Sequence, residues 1–490
     1  MKQQYTPRYI LLIACALLLT ISCKKDFLEI APQGSLTDAF FPNSANDALL
    51  AVNAVYGSLH NWNYHSGGFP ILDILSDDSH KGSNPGDAAR LVLFDNYQFT
   101  ATASDIYPWY SAMYLAVKAA NVVIEKVPAI NMNEGLKSRY IAEARFLRAM
   151  FYFNLVRTFG DVPKVTTVIT ERKLARSPKQ EIYDEIILPD LIHAAQTLPD
   201  KTGYGTDEEG RATNFAAKAL LAKVYLYLGN YTLAEQYALE VINSTQYDLM
   251  PDFADAFSVN GQYGQESIFE IGARPFESSA QGGNQFANTQ GVRGVPNKGW
   301  GFNRPSMNLI NTFEAGDHRK DATVVFLGET IDGVFIQGDL STQDTIYTDA
   351  TNTAIKEIET YNQKVWTPGS TTVEQWGYNI RVLRYAEVLL IAAEASFRNS
   401  NIAQALDFTN QLRQRAGLSL LTSITLNDIF KERRAEMAME GDRFYDLVRT
   451  GQAAEVLGPL GFQTNKHELF PLPQSEIDLS EGTLSQNPNW

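Results

Sequence analysis

Residues 213–245 read TNFAAKALLAKVYLYLGNYTLAEQYALEVINST, and the spacing inside them sets the fold class. Apolar and small residues recur at helical intervals on both sides of Gly229-Asn230, a pair suited to stopping a helix. Thr232-Leu-Ala-Glu235 then reads as a capping box that restarts the chain. Ala216, Ala217, Ala219, Ala222, Ala234 and Ala238 leave room for two helices to lie close together. The stretch predicts an antiparallel helix pair. A second copy runs from Tyr385 to Arg415, with Asn401-Ile402 at the turn and Ala405 in the place of Ala234.

Tyr225, Gly229-Asn-Tyr231 and Ala234 stand where a tetratricopeptide (TPR) helix pair wants an aromatic, a turn and a small residue. The copies lie too far apart for a regular solenoid, so the pairs must stack in space while long insertions interrupt the sequence. Other helices are expected from the capping-box-like Ser44-Ala-Asn-Asp47 to Ser58, and over Tyr107–Lys126. Arg139–Phe159 is apolar on nearly every face and predicts a central buried helix. Ser177 reads as the cap of a helix with Pro178 at its first position, running to about Gln196. Leu426–Leu447 reads as the last helical stretch.

The expected plan is a mainly α protein with a TPR-like scaffold over about 44–59, 107–247 and 379–450. Long irregular insertions over about 60–106 and 248–378 should carry a few short strands, as at Thr323–Phe326 and Val334–Gln337. Residues 23–490 are read as one domain. Insertions of this length in a compact protein are usually functional.

Ahead of it, Ile10–Ile21 is an apolar run after Lys2 and Arg8, too short for the about 20 residues that cross a bilayer. Residues 1–22 read as an export signal, and Ser22-Cys23 as the cleavage and acylation site of a bacterial lipoprotein, with Leu19 four residues before the cysteine. Cys15 leaves with the signal, so no internal disulfide or cysteine metal site is available to the mature chain. The precursor carries 41 basic and 56 acidic residues, a net charge of −15, and loses two cations with the signal. That balance disfavours nucleic acid. It also disfavours polyanionic glycans as first-choice ligands.

Catalytic signatures are absent. His60, His65, His80, His193, His318 and His467 include no zinc-helix spacing, and there is no HExxH, GxSxG, phosphate-binding or dinucleotide motif. No cofactor or metal is expected; Asp73, Asp77 and Asp78 lack the ligand periodicity of a calcium loop. Lys431-Glu-Arg-Arg-Ala-Glu436, with Glu440, Asp442, Arg443 and Asp446, reads as a helix laced by salt bridges at spacings of three and four.

Four segments together resemble the SusD/RagB-type outer-membrane lipoproteins of Bacteroidetes. They are Ala142-Glu-Ala-Arg-Phe-Leu-Arg148 through Phe159-Gly-Asp-Val-Pro163, Arg384-Tyr-Ala-Glu-Val-Leu-Leu-Ile-Ala-Ala-Glu394, Glu432-Arg-Arg-Ala-Glu436 with Glu440-Gly-Asp-Arg443-Phe-Tyr-Asp-Leu447, and Leu469-Phe-Pro-Leu-Pro-Gln-Ser-Glu-Ile477 with Gln486-Asn-Pro488. With Cys23 they span the chain in family order. Lys24-Lys25-Asp26 resembles the charged tag that sends such lipoproteins to the cell surface. The resemblance implies a non-catalytic, lipid-anchored protein of the outer membrane facing outward, a TonB-dependent SusC-like transporter as partner, and an oligosaccharide as ligand. A RagB-type peptide-binding lid and a polysaccharide-degrading lipoprotein are the alternatives.

Neutral sugars need flat aromatic platforms and fixed amide, carboxylate or guanidinium groups. The two loop zones supply Trp62, Tyr64, Asp77, Asp78 and Asn84 in the first, and Trp300, Phe302, Arg304, Trp366, Trp376 and Tyr378 in the second. These are the candidate ligand residues. Trp109 opens a helix and is read as core.

Overall fold

The capping box at Ser44 closes as the sequence suggests, with Asp47 N donating to Ser44 Oγ and Ser44 N to Asp47 Oδ2. It starts α1, Ala45–Gly57. Nine further helices carry the scaffold: α2 (Ile106–Lys126), α3 (Glu134–Phe159), α4 (Leu188–Thr197), α5 (Asn214–Tyr227), α6 (Tyr231–Ile242), α7 (Tyr385–Arg398), α8 (Ile402–Arg415), α9 (Leu426–Met437) and α10 (Arg443–Arg449). The computed structural model describes residues 41–64, 70–168, 173–276, 282–339, 344–348, 354–369 and 376–490. Cys23, the signal before it, the Lys24-Lys25-Asp26 run and His65 lie outside the described residues.

From α2 to α8 each helix packs on the next, and α6 meets α7 although well over a hundred residues separate them in sequence. The pairs α5/α6 and α7/α8 therefore stack as neighbours, with the second insertion looped out between them. Alanines on α5 make this possible: Ala216, Ala217, Ala219 and Ala222 are fully buried. Phe146, Phe151, Tyr152 and Phe159 of α3 are equally buried at the centre. Each such ring contributes about 1.5–3 kcal/mol by leaving water. One polar residue on the buried side of α3, Arg148, is satisfied by neighbouring helices: it donates to Asp190 at 2.7 Å and to Asn121 at 2.8 Å.

Three local signals resolve differently from their sequence reading. Asn230, not Thr232, caps α6, accepting from Leu233 N. Glu235 faces α7 and accepts from Ser396 Oγ at 2.8 Å, from Asn401 Nδ2 at 2.9 Å and from Asn399. It joins the two helix pairs instead of closing a box. Ser177 lies in a two-residue strand opposite Val162, and Asp161 accepts from Lys179 N at the helix start. That helix runs Lys179–Ile182, then a π-turn over Tyr183–Ile187, then α4. Pro189 cannot donate to an i−4 carbonyl, which makes the wider turn the accessible solution. The expected helix over Leu426–Leu447 breaks after Met437, where Met439 and Gly441 take φ of 65° and 82°.

The charged run on α9 and beyond is mostly buried, and its partners are distant instead of one helical turn away. Glu436 meets Arg384 at 2.6 Å, Arg319 at 3.3 Å and Arg415. Asp442 meets Lys223 at 2.6 Å and Arg157 at 3.1 Å, while Arg433 pairs with Asp446 and Glu387. Burial raises both the Glu436 and Asp442 carboxyls, but the surrounding cations outweigh it and hold them well below the usual range.

The first insertion is not a surface loop. Ile71, Ile74, Asp78 and Ser79 are fully buried, and β1 (Ser79–Gly82) crosses the molecule's interior. The second insertion supplies β2 (Ser267–Ile271), β3 (Phe302–Pro305), β4 (Val324–Phe326) and β5 (Thr360–Asn362), and β6 (Ile380–Arg384) follows it. These pair antiparallel as β1–β3, β4–β5 and β2–β6, with Ser79 opposite Pro305 and Gly82 opposite Phe302 in the first. The carboxy-terminal tail closes on α3, where Asn487 Nδ2 donates to Phe159 O at 2.9 Å.

Candidate functional site

The β1–β3 pairing brings the two insertions together, and the candidate site is built on it. Gly82 sits in the left-handed region at φ +70°, and a Cβ there would stand 2.5 Å from Gly301 O. Only glycine lets β1 pass that close. Ser83 N then donates to Gly301 O, Gly301 N to Gly291 O at 3.0 Å and Trp300 N to Asn288 O at 3.0 Å. These bonds hold Trp300 at the tip of the junction, 39% exposed. The half-buried Trp62 meets it edge to face, with ring centroids 5.8 Å apart and planes at 62°.

Next along β3 from this junction lies a buried polar network. Asn303 is fully buried with φ +57°, and its Nδ2 donates to Asp73 Oδ2 at 3.0 Å and Gln290 Oε1 at 2.8 Å. Asn362 also donates to Gln290. The other oxygen of Asp73 accepts from Gly441 N at 2.8 Å, so the network reaches the scaffold between α9 and α10. Burial pushes the Asp73 carboxyl up to about 7 against the pull of these donors.

The remaining candidates divide by burial. Tyr64 is buried edge-on against Phe151, with its OH accepting from Asn154. Asp77 is bound by Arg443 at 2.8 Å and Arg434 at 2.9 Å, and Asp78 by Arg434 at 2.7 Å. For Asp77 burial is outweighed by these guanidiniums and the carboxyl is lowered; for the deeper Asp78 burial wins and it is raised. Phe302 lies under the Lys81 ammonium, and Arg304 beside the Tyr361 ring. Trp366 belongs to a satellite core with Val292, Val325, Ile336 and Tyr361, its Nε1 donating to Asp332 at 2.8 Å. Tyr378 stacks on Phe286. Asn84 is half-buried beside Arg293, and Trp376 half-buried with its carbonyl accepting from Asn284 N. Trp109 is core.

The structure thus joins Trp62 and Trp300 as an aromatic pair and buries Tyr64, Asp77, Asp78, Phe302, Arg304, Trp366 and Tyr378. Sequence reading missed Asn303 and Gln290, whose roles depend on partners elsewhere in the chain, Asp73 and Asn362, that no local pattern marks. Among the described residues no group of three or more His, Cys, Asp or Glu could hold a metal ion, and no helix is long and apolar enough to cross a membrane.

Comparison with known proteins places this geometry in context. Residues 265–490 match the model of the SusD family, and residues 49–226 match a family described as starch-binding, associating with outer membrane. A SusD-like protein of Formosa agariphila is 30% identical, covering 97% of this chain and 98% of its own. A SusD-like protein of Bacteroides ovatus is 30% identical over 90% of this chain and 82% of its own. Among solved structures, a laminarin-binding SusD-like protein superposes with a TM-score of 0.77 at 29% identity, covering 91% of this chain and all of the other. Surface glycan-binding protein A of Bacteroides thetaiotaomicron, in complex with laminarihexaose, gives 0.75 at 26% identity with the same coverage.

Proposed function

Since this chain belongs to the SusD-like family, we propose that it is a non-catalytic glycan-binding protein of the outer membrane, presenting neutral oligosaccharide to a SusC-like TonB-dependent transporter. The observation that carries the reading is the Trp62–Trp300 pair, an accessible aromatic surface fixed on a buried frame. An aromatic face packs on the C–H face of a pyranose. Relatives named for laminarin and starch binding support a glucan as the first ligand to try.

Acyl chains on Cys23 would hold the protein at the membrane, with two or more needed for stable anchoring. Delivery to a transporter requires release, which suits dissociation constants of about 1 mM to 1 μM, roughly −4 to −8 kcal/mol. Affinity electrophoresis of the mature protein in gels containing laminarin, starch or neutral plant glycans tests the ligand class. Retardation by at least one supports the reading; mobility unchanged in all of them, with binding to a peptide pool instead, would replace it with peptide capture. Purification from outer envelopes under mild detergent should bring a barrel transporter with it.

A further inference from the structure

The turn after β1, residues 83–88, is held from two sides. From inside, the buried Lys81 ammonium donates to the carbonyls of Asn84 at 2.7 Å and Asp87 at 2.6 Å. From outside, the Arg293 guanidinium reaches across from the second insertion. Its Nη1 donates to Ser83 Oγ at 2.8 Å and to the Asp87 carboxylate, and its Nε pairs with Asp339 at 2.8 Å. Ser83 Oγ donates in turn to Asp87 Oδ2 at 2.9 Å, and the Asn84 carboxamide oxygen, turned towards the guanidinium, accepts from it as well. One arginine thus joins two carboxylates, a hydroxyl and an amide drawn from both insertions.

This grip reaches Trp300 through bonded contacts. Ser83 N donates to Gly301 O, while Gly301 N and Trp300 N donate to Gly291 O and Asn288 O. A Cβ on Gly301 would stand 3.0 Å from Arg293 Cβ, so the stem of the arginine lies against the turn that presents the ring. Arg293 therefore holds one side of that turn through Ser83, and belongs to the segment that holds the other. Its side chain is 27% exposed, that of Asp87 46% and that of Asp339 22%. Ion pairs this open to solvent are screened by salt, unlike the buried ones around Glu436.

We infer that Arg293 is a positioning residue for the aromatic platform: a solvent-open, ion-paired clamp that fixes Ser83 against Gly301 and so makes capture of an uncharged glycan sensitive to ionic strength. The inference rests on the proposed function. A neutral ligand brings no charge to be screened, so salt acts here on the receptor. The neighbouring charges Lys81, Asp95 and Arg304 are buried and respond far less than the Arg293 pairs.

Two measurements on the mature wild type, Arg293→Gln, Asp87→Asn and the double variant test it. Amide hydrogen exchange follows Ser83, Trp300 and Gly301 without ligand, and calorimetry follows binding of whichever neutral glycan retards the wild type in gels. Raising potassium chloride from about 0.01 M to about 1 M shortens the screening length from about 30 Å to about 3 Å. In the wild type that should speed exchange at the three amides and weaken binding, each by about three- to fivefold. Each variant should show that loss already in dilute salt, with little more in concentrated salt. The double variant should be no weaker than either single one, because the pair acts as a unit. Should Arg293→Gln fail to fold, Asp87→Asn, on the open side of the turn, carries the same comparison. Variants that keep wild-type exchange and affinity, or that lose affinity with salt as steeply as the wild type, would overturn the clamp; loss of binding in Trp300→Ala would then leave the platform standing. A wild type that binds no glycan, while salt and Arg293 still govern exchange at Trp300, would remove the proposed function and leave the clamp.

Discussion

Replacing Trp300 and Trp62 by alanine, singly and together, separates a binding platform from a packed core. Truncating a fully buried tryptophan costs about 3–5 kcal/mol of stability. Trp300 is already 39% exposed and Trp62 half-buried, so each single substitution should cost only about 1–2 kcal/mol. The edge-to-face contact at 5.8 Å adds a coupling of about 0.5–1.5 kcal/mol, readable as non-additivity in a double-mutant cycle. Binding should respond more strongly, because an aromatic anchor at a site's centre contributes about 2 kcal/mol or more, roughly thirtyfold in affinity. Urea unfolding and calorimetry with laminarin on the same four proteins give both numbers. Loss of more than about 4 kcal/mol on Trp300→Ala would mean that the ring is core. Unchanged affinity in the double variant would remove the pair from the site.

Glu436→Gln strips the shared carboxylate from three buried arginines and should cost about 3–5 kcal/mol in urea unfolding; a loss below about 1 kcal/mol would reduce the network to the level of surface pairs. Asp73 has a folded pKa near 7, above the ordinary 3.8, so its contribution is complete below the ordinary value and is lost as pH rises through 7. Asp73→Asn should flatten the fall in stability between pH 5 and 8.5 by roughly 3 kcal/mol, and parallel curves for the two proteins would mean that Asp73 is ionised throughout. Gly82→Ala forces a Cβ against Gly301 O and, on the proposed function, should weaken binding of whichever glycan retards the wild type, with helical circular dichroism retained; wild-type affinity would show that Trp300 is held without the β1–β3 crossing. Cys23→Ser should release the protein from the membrane fraction, and continued attachment would contradict an acyl anchor there.

The helix pairs were legible because their signals are local: alanine spacing, a Gly-Asn stop and a three-residue cap. Local signals also misled wherever a distant donor or acceptor competed. Glu235 fits a capping box by spacing, yet Ser396 and Asn401 take it. Ser177 fits an N-cap, yet Asp161 does the capping. The first insertion reads as loop because it is rich in Gly, Asn and Asp, and Asn and Asp are rarely buried. Its burial depends on Arg434 and Arg443, more than 350 positions later in the chain. The same limit applies to the aromatics. Composition marks Trp300 and Trp366 alike, and only the satellite core around Val325 and Tyr361 decides that Trp366 goes inside.

Those long-range ties bear on how a receptor of this kind would work. Asp77 and Asp78 bind the first insertion to α9 and α10 through Arg434 and Arg443. Asp73 and Asn303 bind it to β3 and to Gly441. Displacing the β1–β3 crossing that carries Trp300 would therefore break buried polar contacts that are costly to leave unpaired. On the proposed function, capture occurs on a platform whose entropy was spent in folding, which preserves affinity from few contacts. On that reading, a ligand held at the β1–β3 crossing is tied through Asp73 and Asp78 to the ends of α9 and α10.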